Sequence, residues 1–223
     1  MEIKKVALVI FDIGGYTEFI RYHKDSLAHA HEVISQLLES IVEHAEYPLI
    51  LNKFEGDAAL LYAEIGDDEK RAVGDIYRQV SDLFPAFKAK SLKLSNERSM
   101  CPCGACQNIR ELRLKAIVHK GEAAFRKIRQ FDEMAGQDVI LVHRLLKNSV
   151  NANEYILVTE AFYSRLDDHL ASRGQALVER YDHLGEIKLK AFHPSGDRLV
   201  SPGELSAENW WRRFLARFRP QAR

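Results

Sequence analysis

The feature that most constrains the fold is a short apolar run near the N-terminus that ends in an acidic, glycine-containing turn. Residues 5–11 read KVALVIF, and Asp12, Gly14 and Gly15 follow at once. A continuous apolar run of this length is typical of a strand that is buried on both faces. We therefore expect the chain to begin with a strand inside a sheet, followed by a turn.

The remaining apolar patterns predict strands and helices that follow one another along the chain. Helical spacing indicates helices over residues 17–46 (in one or two pieces), 68–91, 137–148 and 159–167. Strands are expected at 154–158 and 185–191, and β-hairpins at 48–63, turning at Glu55-Gly56-Asp57, and at 111–129, turning at His119-Lys120-Gly121. Residues 94–110 are polar and are expected to be irregular. This order predicts an α+β fold in which helices pack on a largely antiparallel sheet.

Charge and composition narrow the classes of function. The chain has 32 Lys and Arg against 32 Asp and Glu, so its formal net charge is zero. This balance argues against a whole-surface nucleic-acid binder, which would be basic. No apolar run reaches the roughly 18 residues that a spanning helix needs. The three cysteines are clustered rather than spread in a disulfide framework, and we expect a cytoplasmic protein.

Two aspartates stand where predicted strands end. Asp12 ends the first strand and Asp57 lies at the tip of the first hairpin, so the order strand, helix, hairpin can place them on adjacent strands. Paired carboxylates suit hard divalent cations, and the Gly14-Gly15 turn offers backbone N–H groups to a phosphate. A metal site beside a phosphate-binding turn is typical of proteins that catalyse phosphoryl transfer. The alternatives are that Asp12 caps a helix and that Asp57 fills a turn.

Five segments, in order, resemble the signature segments of the class III nucleotidyl cyclase catalytic domain. They are FDIGGYT at 11–17, KFEGDAALLY at 53–62, IVHKGEA at 117–123, GQDVILVHRL at 136–145 and LGEIKLKAF at 184–192. The resemblance implies the ferredoxin-like cyclase fold, with a mostly antiparallel central sheet. It also implies one cyclase-like domain over residues 1–200, with 94–110 as a cysteine-containing insertion.

The resemblance also implies a set of site residues and cofactors. It assigns two Mg²⁺ or Mn²⁺ ions per site to Asp12, Ile13 and Asp57, and the phosphates to Ile13, Gly14, Gly15, Tyr16 and Thr17. It assigns recognition of the purine to Lys53 and Glu133. It assigns to Arg144 the stabilisation of charge on the α-phosphate in the transition state, and to Lys190 a contact with phosphate. A Lys at position 53 resembles adenylyl cyclases. Because these sites are completed across a head-to-tail dimer in the family, a homodimer is implied.

One departure from the family pattern lies in the catalytic half of the site. Ile140 stands where the family has an asparagine that contacts the transition state, and losing one such donor typically costs about 10²–10³ in rate. We therefore expect a divergent metal-dependent nucleotidyl cyclase that converts a purine nucleoside triphosphate, ATP first, to a 3′,5′-cyclic nucleotide and pyrophosphate. The alternative is an inactive cyclase-fold module that binds a nucleotide or another ligand and signals by dimerisation.

The cysteine cluster is a separate candidate metal site. Cys101, Cys103 and Cys106 lie within six residues around a turn-forming glycine and can coordinate one soft metal such as Zn²⁺. The fourth ligand would be His119, another histidine or a residue of a partner chain. Three free surface thiols, or a disulfide between Cys101 and Cys106, are the alternatives.

The C-terminal segment, residues 204–223, has the pattern of an amphipathic basic helix. Trp210, Phe214 and Phe218 recur every four residues. The segment contains five arginines and two glutamates, which gives it a net charge of +3. Such a helix can dock on an anionic membrane surface or on a protein partner. The alternative is that it packs on its own domain or on the dimer mate.

Overall fold

A computed structural model describes residues 1–22 and 26–194. The strands within these ranges are β1 (Glu2–Gly14), β2 (Ile50–Glu55), β3 (Ala58–Glu64), β4 (Arg113–Ile128), β5 (Phe131–Ala135), β6 (Tyr155–Thr159), β7 (Gln175–Tyr181) and β8 (Gly185–Phe192). The α-helices are α1 (Tyr16–Tyr22), α2 (Leu27–His44), α3 (Glu69–Glu97), α4 (Gly104–Gln107), α5 (Gln137–Arg144), α6 (Glu160–Tyr163) and α7 (Asp168–Ser172), and a 3₁₀ turn covers Ile109–Glu111. None of the helices in the described ranges is long and apolar enough to span a membrane.

All the strands of the described residues belong to one sheet. Its order is β2-β3-β1-β4-β6-β8-β7, and β5 pairs with β4 outside this path. β4 and β6 run parallel, and the other pairs are antiparallel. This topology confirms the predicted α+β class with a mostly antiparallel sheet.

The N-terminal strand lies in the interior of the sheet, as its apolar run predicts. Residues 6–11 are completely buried. Side chains alternate between the two faces: Ala7 and Val9 join the core under α2 and α3, whereas Leu8 and Ile10 join the core under α5. Helices therefore cover both faces of β1.

The prediction of a hairpin at His119-Lys120-Gly121 was wrong. β4 passes through these residues without a turn and pairs with β1 from Arg113 to Phe125. Gly121 is required there by close packing, because a Cβ at this position would lie 2.1 Å from Oδ2 of Asp138. The hairpin instead joins β4 to β5, where Arg129 adopts a positive φ of 55°.

Other differences concern boundaries and short elements. The helical pattern at 17–46 corresponds to α1 and α2, which are separate elements. The segment 94–110, predicted to be irregular, contains the end of α3, all of α4 and the start of the 3₁₀ turn. Strand β7 had not been predicted. The segment 204–223 lies outside the described residues.

Candidate active site

The two predicted metal-binding aspartates lie on adjacent strands. Asp12 is near the end of β1 and pairs with Ala58, the first residue of β3, so it is one position from Asp57 in the β2–β3 turn. The backbone N–H of Ile13 donates to the carbonyl of Asp57 at 3.1 Å and fixes the turn against β1. Asp12 continues the alternation of Leu8 and Ile10, which places it on the α5 face of the sheet.

Both carboxyl groups have raised pKa values. Burial raises the pKa of Asp12, and the charge of Lys115 opposes that change. Burial and the negative charge of Asp12 together raise the pKa of Asp57 to about 6. The protein thus holds two half-buried carboxylates that repel one another, an arrangement that a bound cation would relieve.

Lys115 is a cation whose charge acts on both aspartates, and the sequence analysis did not identify it. It is the direct partner of Asp12 across the β1–β4 ladder. Its Nζ lies 5.9 Å from the ring centre of Tyr155. A Cβ on Gly14 would lie 2.9 Å from Cε of Lys115, so the glycine lets the lysine pass close to the turn. The β1–β4 register could have identified Lys115, but it was obscured by the wrong hairpin prediction.

The predicted phosphate-binding turn leads directly into α1. Gly15 has a φ of 90°, which favours glycine, and its carbonyl accepts the N–H of Phe19 at 2.8 Å to begin the helix. Tyr16 packs against the core under α2 and α3. Of the amides predicted to bind phosphate, that of Ile13 is already bonded to Asp57.

Lys53 and Glu133, both predicted to recognise the base, lie close together. Nζ of Lys53 is 3.9 Å from a carboxylate oxygen of Glu133 and 3.4 Å from one of Glu55. The second oxygen of Glu55 lies 2.7 Å from Nε2 of His143 on α5. An acid–base chain therefore connects β5, β2 and α5. Glu55 and His143 had not been predicted as part of it.

The start of α5 contacts the sheet through a polar cluster around the buried side chain of His119. His119, which is 5% exposed, lies 2.8 Å from Oγ1 of Thr159 through Nδ1 and 3.2 Å from Oδ1 of Asp138 through Nε2. The other oxygen of Asp138 accepts the N–H of Glu122 at 2.6 Å. These contacts connect the start of α5 to β4 and β6. They also place His119 on the α5 face, remote from the cysteines, so it is not their fourth ligand.

The exposed side of α5 carries the remaining predicted catalytic position. Arg144 is the last residue of the helix and is exposed. Ile140, one turn earlier, is 56% exposed despite its apolar side chain. Both are accessible to a second chain or to a ligand.

Lys190 is not brought together with these groups. Its neighbours Leu189 and Ala191 belong to the core under α5, so Lys190 points to the opposite face. There its Nζ donates to the carbonyl of Ala171 at 2.7 Å and lies 4.9 Å from the ring centre of Tyr163.

The three cysteines meet a histidine from α2. Cys101, Cys103, Cys106 and His29 place one ligand atom each within 4.8 Å of the others, a group that could hold a metal ion. His29 had not been singled out in the sequence. It lies more than 70 positions before the cysteines and forms no short-range motif with them.

Comparison with solved structures identifies the class of fold. The adenylyl cyclase CyaB from Pseudomonas aeruginosa superposes with a TM-score of 0.61 at 16% identity, over 85% of this chain and 94% of that chain. A class III adenylyl cyclase-like ATP-binding protein from Pseudomonas aeruginosa gives 0.62 at 14% identity, over 76% and 36%. The guanylyl cyclase Cya2 gives 0.56 at 13% identity, over 85% and 92%. The chain therefore has the fold of class III nucleotidyl cyclase catalytic domains.

Sequence comparison identifies the family. Residues 34–155 match the family described as "Protein of unknown function (DUF2652)", and the chain belongs to this family. The "Uncharacterized protein Rv2561/Rv2562" of Mycobacterium tuberculosis is 33% identical over 153 residues, 69% of each chain. Membership of this family, together with the low identities to the solved cyclases, is consistent with a divergent branch on the cyclase fold.

Proposed function

We propose that this protein is a divergent metal-dependent nucleotidyl cyclase. It converts a purine nucleoside triphosphate, with ATP as the favoured substrate, to a 3′,5′-cyclic nucleotide and pyrophosphate. The observation that carries the proposal is the pair of half-buried carboxylates on β1 and the β2–β3 turn, Asp12 and Asp57. Their charges are only partly opposed by Lys115.

The donor set of this pair fits Mg²⁺ or Mn²⁺. Carboxylate oxygens are the ligands that these hard cations prefer, and a cation would offset the burial and the mutual repulsion that raise the pKa of Asp57. Asp12 and Asp57 would hold the ions, with the backbone of Ile13 beside them. Bound ions would neutralise phosphate charge and favour ionisation of the ribose 3′-hydroxyl.

The balanced reaction needs one bond to form and one to break. The 3′-oxygen bonds to the α-phosphorus while the bond from that phosphorus to the bridging oxygen breaks, pyrophosphate leaves and the hydroxyl proton passes to water. Lys115 would supply positive charge beside the phosphates, because it lies against both Asp12 and Gly14. Arg144 would stabilise the charge that develops on the α-phosphate.

The proximity of Lys53 and Glu133 supports ATP as the substrate. A lysine ammonium donates to a ring nitrogen of adenine, and a carboxylate accepts from its exocyclic amine. The two side chains lie 3.9 Å apart and are both partly exposed, so a base could insert between them at small cost. A guanine ring has a donor at its ring nitrogen and an acceptor at its exocyclic oxygen, which is the opposite hydrogen-bonding pattern.

Exposure of Arg144 supports a site completed by a second copy of the chain. We propose a homodimer in which one protomer supplies the aspartates and its partner supplies Lys53, Glu133 and Arg144. Mixing Asp57→Asn with Arg144→Ala, each inactive alone, then yields heterodimers with one intact site each. Restored activity of about a quarter of wild type is expected from random pairing. No restoration would contradict the shared site.

The direct test is product formation measured by mass spectrometry. The protein is incubated with Mn²⁺ and ATP, GTP, CTP and UTP together, beside an Asp57→Ala variant and an Asp67→Ala control at an exposed position. We expect 3′,5′-cyclic AMP from wild type and from the control, and none from Asp57→Ala. No cyclic product from any nucleotide would refute the proposal.

One observation favours the alternative of an inactive module that binds a nucleotide or another ligand. Ile140 has no donor, and its exposed apolar side chain makes α5 a better surface for an apolar contact than for catalysis. Ile140→Asn separates the two functions. A weak cyclase should gain in rate, by up to about 10²–10³, whereas a binding module should stay inactive.

A further inference from the structure

A single histidine nitrogen lies among three sulfur atoms. Nδ1 of His29 is 3.5 Å from Sγ of Cys101, 3.3 Å from Sγ of Cys103 and 3.7 Å from Sγ of Cys106. The four ligand atoms all lie within 4.8 Å of one another. His29 comes from α2, whereas the cysteines come from the segment after α3.

These separations match the edges of a tetrahedral zinc site. With Zn–S of about 2.3 Å and Zn–N of about 2.0–2.1 Å, a tetrahedron has N···S edges of about 3.6 Å. The observed distances lie on either side of that value. Hydrogen bonding does not explain the cluster, because Nδ1 has one proton or one lone pair and can satisfy one sulfur, not three.

The local backbone holds the sulfurs on one side of the segment. Cys103 is the N-cap of α4, and its sulfur accepts the N–H of Cys106 at 3.5 Å. The side chain of Gln107 donates to the carbonyl of Cys101 at 2.8 Å. Outer bonds of this kind orient the ligands of structural metal sites.

We propose that His29, Cys101, Cys103 and Cys106 form a closed structural Zn²⁺ site. Three thiolates and one Zn²⁺ leave a net charge of −1, and Arg98, which interacts with Cys106, would offset part of it. Ion pairing with Glu32 on α2, at 3.7 Å, holds Arg98 in place. With four protein ligands the metal has no open position, so its role is to hold the fold rather than to bind substrate.

The bound metal would connect the cysteine-containing segment 94–110 to α2 through His29. The chain just after the cysteines passes close to the active-site turn, because a Cβ on Gly15 would come within 4.0 Å of Leu112 and 3.9 Å of the carbonyl of Glu111. The cysteines and Asp12 nevertheless belong to opposite faces of the sheet. Zinc binding can therefore be tested independently of nucleotide chemistry.

The test measures metal content and metal geometry in the full-length protein. Zinc is quantified by mass spectrometry in wild type, His29→Ala and Cys103→Ser, with His31→Ala as a matched control on an exposed position of α2. Wild type and the control should carry about one Zn²⁺ per chain, and the two site variants much less. Equal zinc content in Cys103→Ser and in the control would overturn the proposal.

Two measurements on the wild type need no variant. Replacement of the metal by Co²⁺ should give the intense visible bands of tetrahedral coordination and a sulfur-to-cobalt charge-transfer band. Removal of zinc should lower Tm and expose three thiols to a thiol reagent. A protein that is isolated without zinc and takes up no Co²⁺ when reduced would refute the site. So would a stable disulfide between Cys101 and Cys106.

Discussion

Replacing Asp57 with asparagine should stabilise the protein in the absence of added Mg²⁺ or Mn²⁺, although it removes a proposed metal ligand. Burial and the charge of Asp12 raise the pKa of Asp57 from 3.8 to about 6. Near neutral pH the folded protein must therefore hold a carboxylate whose ionisation is unfavourable there. Asparagine has nearly the same shape and no charge.

The size of the effect follows from the two pKa values. They differ by about 2, which corresponds to about 3 kcal/mol at about 1.4 kcal/mol per pKa unit. Asp57 is partly exposed, and solvent screening reduces this value. We expect the free energy of unfolding of Asp57→Asn to exceed that of wild type by about 1–2 kcal/mol at pH 7.5.

The pH dependence has a definite sign. Below pH 3.8 the carboxyl is protonated in both the folded and the unfolded chain, and no cost arises. Between pH 3.8 and about 6 the folded chain retains a proton that the unfolded chain has lost, so the stability of wild type falls as pH rises. Above about pH 6 the full cost is present. The advantage of Asp57→Asn should therefore be smaller at pH 4.5 than at pH 7.5.

Urea unfolding at these two pH values measures the effect, with Asp67→Asn as the control on an exposed loop. Added Mn²⁺ should reverse the order of stability, because only wild type keeps both carboxylates. A ligand at about 100 times its Kd adds about 2.7 kcal/mol. The reasoning would be refuted if Asp57→Asn were less stable than wild type at pH 7.5, or if its advantage did not change with pH.

Three further predictions use the same stability and activity assays. Lys115→Met should lower the free energy of unfolding by about 1 kcal/mol at pH 7.5, and by less at pH 4.5, because it removes the positive charge facing Asp12; equal losses at both pH values would contradict this. Gly121→Ala should cost about 2 kcal/mol or more, because its Cβ would meet Asp138 at 2.1 Å; an unchanged Tm would show that α5 can shift freely. Lys53→Ala should lower kcat/KM for ATP at least about tenfold, and retention of activity would exclude Lys53 from base recognition.

The parts of the fold that could be predicted from sequence are those with strong local patterns. The apolar run 5–11 identified β1, and the close spacing of two apolar segments around Gly56 identified the β2–β3 hairpin. Those two elements allow Asp12 and Asp57 to lie on neighbouring strands, and the pairing of β1 with β3 shows that they do. Lys53 and Glu133 were identified through family resemblance, and the structure brings them within 3.9 Å.

The parts that could not be predicted depend on contacts between distant residues. Gly121 looked like a turn residue, but its small size serves the approach of Asp138 from α5. β7 lies at the exposed edge of the sheet, and Val178 is 58% exposed. Its sequence, QALVERY, alternates only weakly between apolar and polar residues. His29 meets the cysteines only because α2 and α4 pack together. No local sequence pattern predicts that contact.

The parallel pairing of β4 and β6 has a consequence for the order in which the protein folds. Parallel neighbours cannot be joined by a tight turn, so the chain between them, residues 129–154, must cross over the sheet, and it contains β5 and α5. The central sheet is therefore not complete until the segment beyond β5, which bears Ile140 and Arg144, has docked. Loop closure of this kind is slow compared with hairpin formation. Assembly of the proposed catalytic half-site and closure of the sheet would thus be a single late event, and substitutions in α5 should alter the folding rate as well as activity.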